Sequence, residues 1–149
     1  MIARVCLIAV LITVSFSAGA AEGLITTQSP HSVADSMDRL EVIVKEKGLT
    51  VFARIDHAAG ARSIDQSLRP TQLLIFGNPK GGTPFMACAQ MVGIDLPLKV
   101  LAWEDQAGQV WLGYNDPAWI ASRHNTPECL VAEKLASALQ GFVQSAVAR

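Results

Sequence analysis

The chain has 149 residues, half of them hydrophobic, and its 12 basic and 13 acidic side chains leave a net charge of −1. A near-neutral balance without a basic cluster excludes a nucleic-acid partner, because phosphate neutralisation needs grouped Lys and Arg. The length allows one domain around one core.

Residues 1–20 read as a signal peptide: Arg4 supplies the positive start, Val5–Phe16 the apolar run, and Ala18-Gly19-Ala20 the small-x-small cleavage pattern. That run is shorter than the roughly 20 apolar residues needed to span a bilayer. The expectation is therefore a periplasmic or secreted protein with one domain over 21–149 and no membrane association after cleavage. Loss of Arg4 leaves 11 basic against 13 acidic groups, a net charge near −2. Cys6 lies inside the apolar run, so Cys88 and Cys129 remain. An oxidising compartment permits a bridge between them. Cys88 sits in an apolar helical stretch, however, and is read as a buried free thiol.

In chain order, the β-branched stretch Gly23–Gln28 predicts a first strand. Ser32 and Asp35 form a capping-box-like start, Val33, Met37, Leu40 and Val44 recur at helical spacing, and Gly48 supplies the stop. Thr50–Asp56 alternates as a half-buried strand, and the segment to Arg69 suits a short helical crossover. Leu73–Phe76 is apolar throughout and reads as a central strand. After the Gly77–Gly82 loop, Thr83 and Pro84 fit cap and first position of a helix whose Phe85, Cys88, Ala89 and Val92 share a face. Its remaining positions are scarcely more polar, which predicts cover on every side, including by a second copy of the chain.

Pro97–Glu104 and Gln109–Tyr114 read as a hairpin. Pairing Glu104 with Gln109 places Ala102 opposite Trp111 and Trp103 opposite Val110. Asn115-Asp116-Pro117 starts a short helix, and Thr126-Pro127-Glu128 starts a last one over 127–147, with Val131, Leu135, Ala138, Phe142 and Ala146 on one face. The predicted order is β-α-β-(α)-β-α-β-β-α-α. That is an α+β, two-layer sandwich of a mostly antiparallel sheet with helices.

The motifs Leu74-Ile75-Phe76-Gly77-Asn78-Pro79-Lys80, Gly93-Ile94-Asp95-Leu96-Pro97-Leu98-Lys99-Val100 and Tyr114-Asn115-Asp116-Pro117 follow one another in the chain. Together with Val33–Gly48 and Ala53–His57 they resemble the family called domain of unknown function 302, over roughly Gly23 to His124. The last helix falls outside that resemblance. The resemblance implies a compact α+β domain that commonly self-associates as a homodimer. It implies no established activity, cofactor or catalytic residue.

Three groups of residues are candidates for chemistry. The loop Gly77, Asn78, Lys80, Gly81 and Gly82 offers helix-end amides and a cation to an anionic ligand, although a tight turn that needs glycine explains it with fewer assumptions. It lacks the GK[ST] of a P-loop. Asp56 and His57 close a strand and could serve acid–base chemistry with a partner such as His31, His124 or Asp116. Adjacent strand residues point to opposite faces, so a strand-end hydrogen bond is the plainer reading. Met86, Cys88 and Met91, with His57 nearby, are soft ligands for copper(I), but their helical spacing fits core packing. Trp103, Trp111, Tyr114 and Trp119 read as core or interface and not as an aromatic pocket. The expectation is a dimerising, non-enzymatic module that binds a small molecule, without cofactor or metal. An enzyme using His57 and a metal-binding protein are the alternatives.

Overall fold

The computed structural model describes residues 21–149; the predicted signal segment at 1–20 lies outside the described residues. Five strands, β1 (Leu24–Ser29), β2 (Thr50–Asp56), β3 (Thr71–Gly77), β4 (Leu98–Glu104) and β5 (Val110–Asn115), form one sheet in the order β1-β5-β4-β3-β2. Every neighbouring pair is antiparallel. The helices are α1 (Val33–Glu46), α2 (His57–Arg62), α3 (Pro79–Cys88), α4 (Pro117–Arg123) and α5 (Leu130–Val147), with a 3-10 helix at Gln90–Ile94. This is the α+β architecture and the element order that the sequence predicts.

α1 forms where its pattern places it. The Ser32 hydroxyl accepts from the Asp35 amide at 3.1 Å, and Gly48 takes the left-handed φ of 72° that ends the helix. Its buried face, Met37, Leu40 and Val44, packs with α5 residues Leu139 and Val143 onto sheet residues Leu74, Phe76, Val100 and Leu112. Each of these large side chains contributes about 1.5–3 kcal/mol by leaving water. Arg39 locks the two helices together by donating from Nε to the Ala146 carbonyl at 2.7 Å and from Nη2 to that of Ala148 at 2.8 Å. A second, smaller core gathers Phe85, Val92, Ile120, Ala121, Cys129 and Ala132 beneath α3, α4 and the start of α5.

The sheet is covered by α1 and α5 on one face. On the other, Ile55, Leu73, Ile75, Leu101, Trp103 and Trp111 are half-buried or exposed. β3 is thus fully buried only at Leu74 and Phe76, and the prediction of cover on both faces is not met within one chain. β2 is an edge strand whose pairing with β3 shifts register between Val51 and Ala53, so that Phe52 bulges out.

The hairpin register differs from the predicted one. Trp103 pairs with Trp111 and Glu104 with Val110, which moves every β5 side chain to the opposite face relative to β4. The cause is Asp105. Its carboxylate accepts from the amides of Ala107 at 2.8 Å and Gln109 at 2.9 Å and from Trp111 Nε1 at 2.8 Å, organising a longer turn closed by Gly108 at φ 75°.

The Trp111 hydrogen bond, then the Gln109 amide, hold the Asp105 carboxyl below its ordinary pKa. The folded state therefore binds fewer protons than the unfolded chain in this acid range. Asp105 contributes stability above the ordinary carboxylate pKa and loses it as pH falls through the lowered one. Asp105→Asn is expected to lower the urea midpoint at pH 7 and to flatten its decline between pH 5 and 3. Parallel titrations followed by tryptophan fluorescence check this; identical acid limbs in the two proteins would count against it.

Two helix starts differ from expectation. α3 begins at Asn78-Pro79, not at Thr83-Pro84: the Asn78 Oδ1 accepts from the Gly81 amide at 3.0 Å, Pro79 takes the first turn, and Pro84 lies inside the helix. Both pairs carry the same cap-plus-proline signal, and the earlier one prevails. α3 then stops at Cys88, where Ala89 turns extended, and Val92 reaches the core from the 3-10 helix. α5 begins at Leu130, three residues past Pro127. A turn from Thr126 to Cys129 replaces the expected first helical turn, and Cys129 is bonded there to Cys88. The buried-free-thiol reading of Cys88 is therefore overturned. Its side chain is at the surface, and its partner lies 41 residues further along the chain.

Candidate functional site

The loop singled out in the sequence opens into a cavity of about 420 Å³. Its floor is the end of β3 and the start of β4, with Phe76, Gly77 and Leu98. One wall is α3 and the chain that follows, with Gly81, Gly82, Thr83, Met86, Gly93, Leu96 and Pro97; the facing wall is α5, with Leu135, Ala138, Leu139 and Phe142. Phe52, pushed out by the β2 bulge, and Leu49 close the side. The size and apolar lining are those of a small-molecule pocket.

The glycines have a packing role. A Cβ on Gly81 would lie 3.1 Å from Leu135 Cδ2, and one on Gly93 would lie 3.2 Å from Met86 Sδ. Neither glycine has a positive φ. Gly81 is needed because α3 crosses close to α5, and not because a turn demands left-handed backbone. The wall is tied down at its end by Asp95. Its Oδ1 accepts from Arg123 Nη1 at 2.8 Å, and its Oδ2 lies 2.6 Å from His124 Nε2. Behind it, Lys99 Nζ donates to the carbonyls of Asp95 and Pro97 at 2.8 and 2.9 Å. Burial pushes the Lys99 pKa down, with the Asp95 charge opposing.

Of the predicted loop residues, Gly77, Asn78, Gly81 and Gly82 line the cavity, whereas Lys80 is exposed and is not part of the lining. The Gly81 amide already donates to the Asn78 side chain and the Gly82 amide to the Asn78 carbonyl at 3.1 Å, so neither N–H is left to donate to an anion. An apolar ligand suits this site better than the anion considered from the sequence. Asp56 and His57 do not join it. Asp56 pairs with Gln72 while Gly77 pairs with Thr50 at the other end of β3, a strand separation of roughly 17 Å. The Asp56 carboxylate caps α2 by accepting from the Ala59 amide at 2.8 Å, and His57 is exposed.

The partners suggested for His57 are engaged elsewhere. His31 Nε2 lies 2.9 Å from the Ala148 carbonyl, His124 meets Asp95, and Asp116 accepts from the Ala118 amide at 2.9 Å. Among the described residues no group of three His, Cys, Asp or Glu side chains is placed to hold a metal ion. Cys88 is in a disulfide, so it offers no thiolate. Met91, expected in the core, is 72% exposed. Of the four aromatics, Trp103 and Trp111 share the outward sheet face, Tyr114 is buried on the helix side, and Trp119 packs on Gly23. The α5 wall is the part that loop-centred reasoning missed. Its residues Leu135, Ala138 and Phe142 were nonetheless visible as one apolar stripe.

Fold and pocket together define a two-layer α+β domain with an apolar cleft between α3 and α5. The family described as Domain of unknown function DUF302 matches residues 25–146, and the chain belongs to that family. The match takes in α5, which the motif resemblance left outside. The crystal structure of an uncharacterised conserved DUF302 protein from Bacillus stearothermophilus superposes with a TM-score of 0.76, covering 85% of this chain and 99% of that one. At 19% identity this likeness concerns the fold alone. Proteins named fluoride-specific ion channel FluC 1 from Brucella suis biovar 1 and Brucella abortus biovar 1 are each 50% identical over 103 residues, 69% of this chain. The chain spans only 41% and 38% of their lengths, and their name describes the whole of each. No helix among the described residues is long and apolar enough to cross a membrane.

Proposed function

We propose that this domain is an exported, non-enzymatic module that binds a small apolar molecule between α3 and α5. The observation that carries this reading is the 420 Å³ cavity, whose lining is almost wholly aliphatic, aromatic and glycine. A ligand there gains by leaving water, while the Asn78 side chain and Thr83 offer the polar groups that orient it. The Cys88–Cys129 bridge supports an oxidising compartment. The neutral fluorophore N-phenyl-1-naphthylamine is expected to bind with a blue-shifted emission. Ala138→Trp, which fills the cavity from α5, is expected to weaken it at least tenfold without lowering the melting temperature. Equal binding by both proteins, or none by the native one, would sink the proposal.

A second reading, dimerisation, is favoured by the outward sheet face. Leu73, Ile75, Leu101, Trp103 and Trp111 form a contiguous half-exposed apolar surface, and Ile55 extends it at 39% exposure. The one charged residue among the outward positions of β3 and β4 is Lys99, whose ammonium is turned back onto two carbonyls. A second copy of the same face would therefore meet no like-charge repulsion, as a two-fold contact requires. Sedimentation is expected to give a dimer at micromolar concentration and a monomer for Leu101→Lys. A native monomer would reject this contact.

A further inference from the structure

The wall formed by α3 and the 3-10 helix carries few internal anchors. Phe85 is the one buried side chain of α3, and Val92 is the one buried side chain of the 3-10 helix. Between them, the disulfide joins the last residue of α3 to the residue that caps α5, with Cα atoms 6.0 Å apart. The bridge therefore fixes the spacing of the two helices that face each other across the cavity. At Gly81 and Leu135 that spacing leaves no room even for a methyl group without movement.

We propose that the Cys88–Cys129 disulfide is a reversible redox latch on the pocket, opened by a dithiol reductant. The inference rests on the pocket being a ligand site. The two sulfurs occupy unequal surroundings, which sets the direction of exchange. Cys88 is exposed, whereas Cys129 is 5% exposed. A reductant thiolate therefore reaches the Cys88 sulfur and forms a mixed disulfide there, and the Cys129 sulfur leaves with the electron pair. Cys129 holds the N-cap of the 18-residue α5 and makes no side-chain capping bond in the disulfide form. The positive end of that helix stabilises the departing thiolate, which lowers the barrier to exchange and keeps Cys129 a good leaving group. The second thiol of the reductant then attacks the mixed disulfide. Cys88 is released as a thiolate, both cysteines take up protons, and the reductant ends as its own disulfide. Two electrons and two protons have moved to the protein.

With the bridge open, Phe85 and Val92 still root the wall in the second core, and Asp95 still holds its far end to Arg123 and His124. The domain keeps its fold, while the segment between Phe85 and Val92, which carries Met86 on the cavity wall, is freed to move away from α5. A wider, wetter cavity binds an apolar molecule less well.

The test is titration of N-phenyl-1-naphthylamine into the full chain before and after dithiothreitol, with thiols counted and the far-ultraviolet dichroism recorded. The expected result is two newly titratable thiols, unchanged helix content, and a dissociation constant raised at least fivefold that returns on reoxidation. Cys88→Ala/Cys129→Ala is expected to show the weaker affinity and no response to dithiothreitol. Reduction with unchanged affinity would overturn the latch and leave the pocket standing. Loss of helix on reduction, in the native chain and with the double variant unfolded as well, would make the bridge a structural staple and also overturn it. No binding by the oxidised chain would fail the pocket itself, and the latch with it.

Discussion

Phe85→Ala is expected to destabilise the domain by about 3–5 kcal/mol, the range for truncating a fully buried aromatic. Phe85 is 0% exposed and sits among Val92, Ile120, Ala121, Cys129 and Ala132. These neighbours come from α4, the 3-10 helix and the start of α5, and the disulfide restrains part of them. They cannot collapse freely into the space left, so the cavity penalty adds to the lost transfer energy. Phe85→Leu keeps most of the volume and should cost under about 1.5 kcal/mol. Urea unfolding followed by tryptophan fluorescence measures both. A midpoint shift for Phe85→Ala equivalent to less than about 1 kcal/mol, on the same slope, would show that the second core is not a load on global stability.

Replacing both Cys88 and Cys129 with alanine is expected to cost a similar amount, by a different route. The bridge closes a loop of sequence separation 41. In the chain-entropy account, opening a loop of this length frees the unfolded state by about 4 kcal/mol, within a measured range of about 0–5. Cys88 is at the surface and loses little packing, and the buried Cys129 gives up only one sulfur atom from the second core. The double variant should therefore unfold at a lower urea midpoint with native secondary structure in water. Reduction of the native chain should give the same midpoint, whereas Phe85→Ala should remain sensitive to reductant. If oxidised and reduced native chains unfolded together, the entropic account would be wrong for this loop.

Local signals located much of the fold. Ser32, Asp35 and Gly48 bound α1, and Asp116-Pro117 starts α4, because caps and stops act within a few residues of themselves. The elements that went astray depend on competition or distance. Asn78-Pro79 and Thr83-Pro84 both read as helix starts, and the structure uses the first, with Asn78 capping Gly81 where Gly81 lies against Leu135 of α5. The hairpin slipped by one because Asp105 reaches Trp111, a side-chain bond that turn statistics do not register. The Cys88–Cys129 pairing has no local signature. The pocket was half legible: Gly77, Asn78, Gly81 and Gly82 drew notice as a glycine-rich loop, but its apolar character comes from α5. The apolar stripe of α5 suggested only another core face.

The shifted register at Phe52 has a consequence for how the protein survives at high concentration. β2 is one rim of the sheet, and its unpaired amides and carbonyls would otherwise offer a flat template to a passing strand. The extra residue breaks the repeat of that template and bends it away from the sheet plane. A foreign strand could bond to only part of its length before losing alignment, so fibrous growth from this rim is blocked. The side chain displaced by the irregularity is put to use, since Phe52, although 58% exposed, lines one side of the cavity. One inserted residue thus guards against aggregation and contributes to the rim of the ligand site.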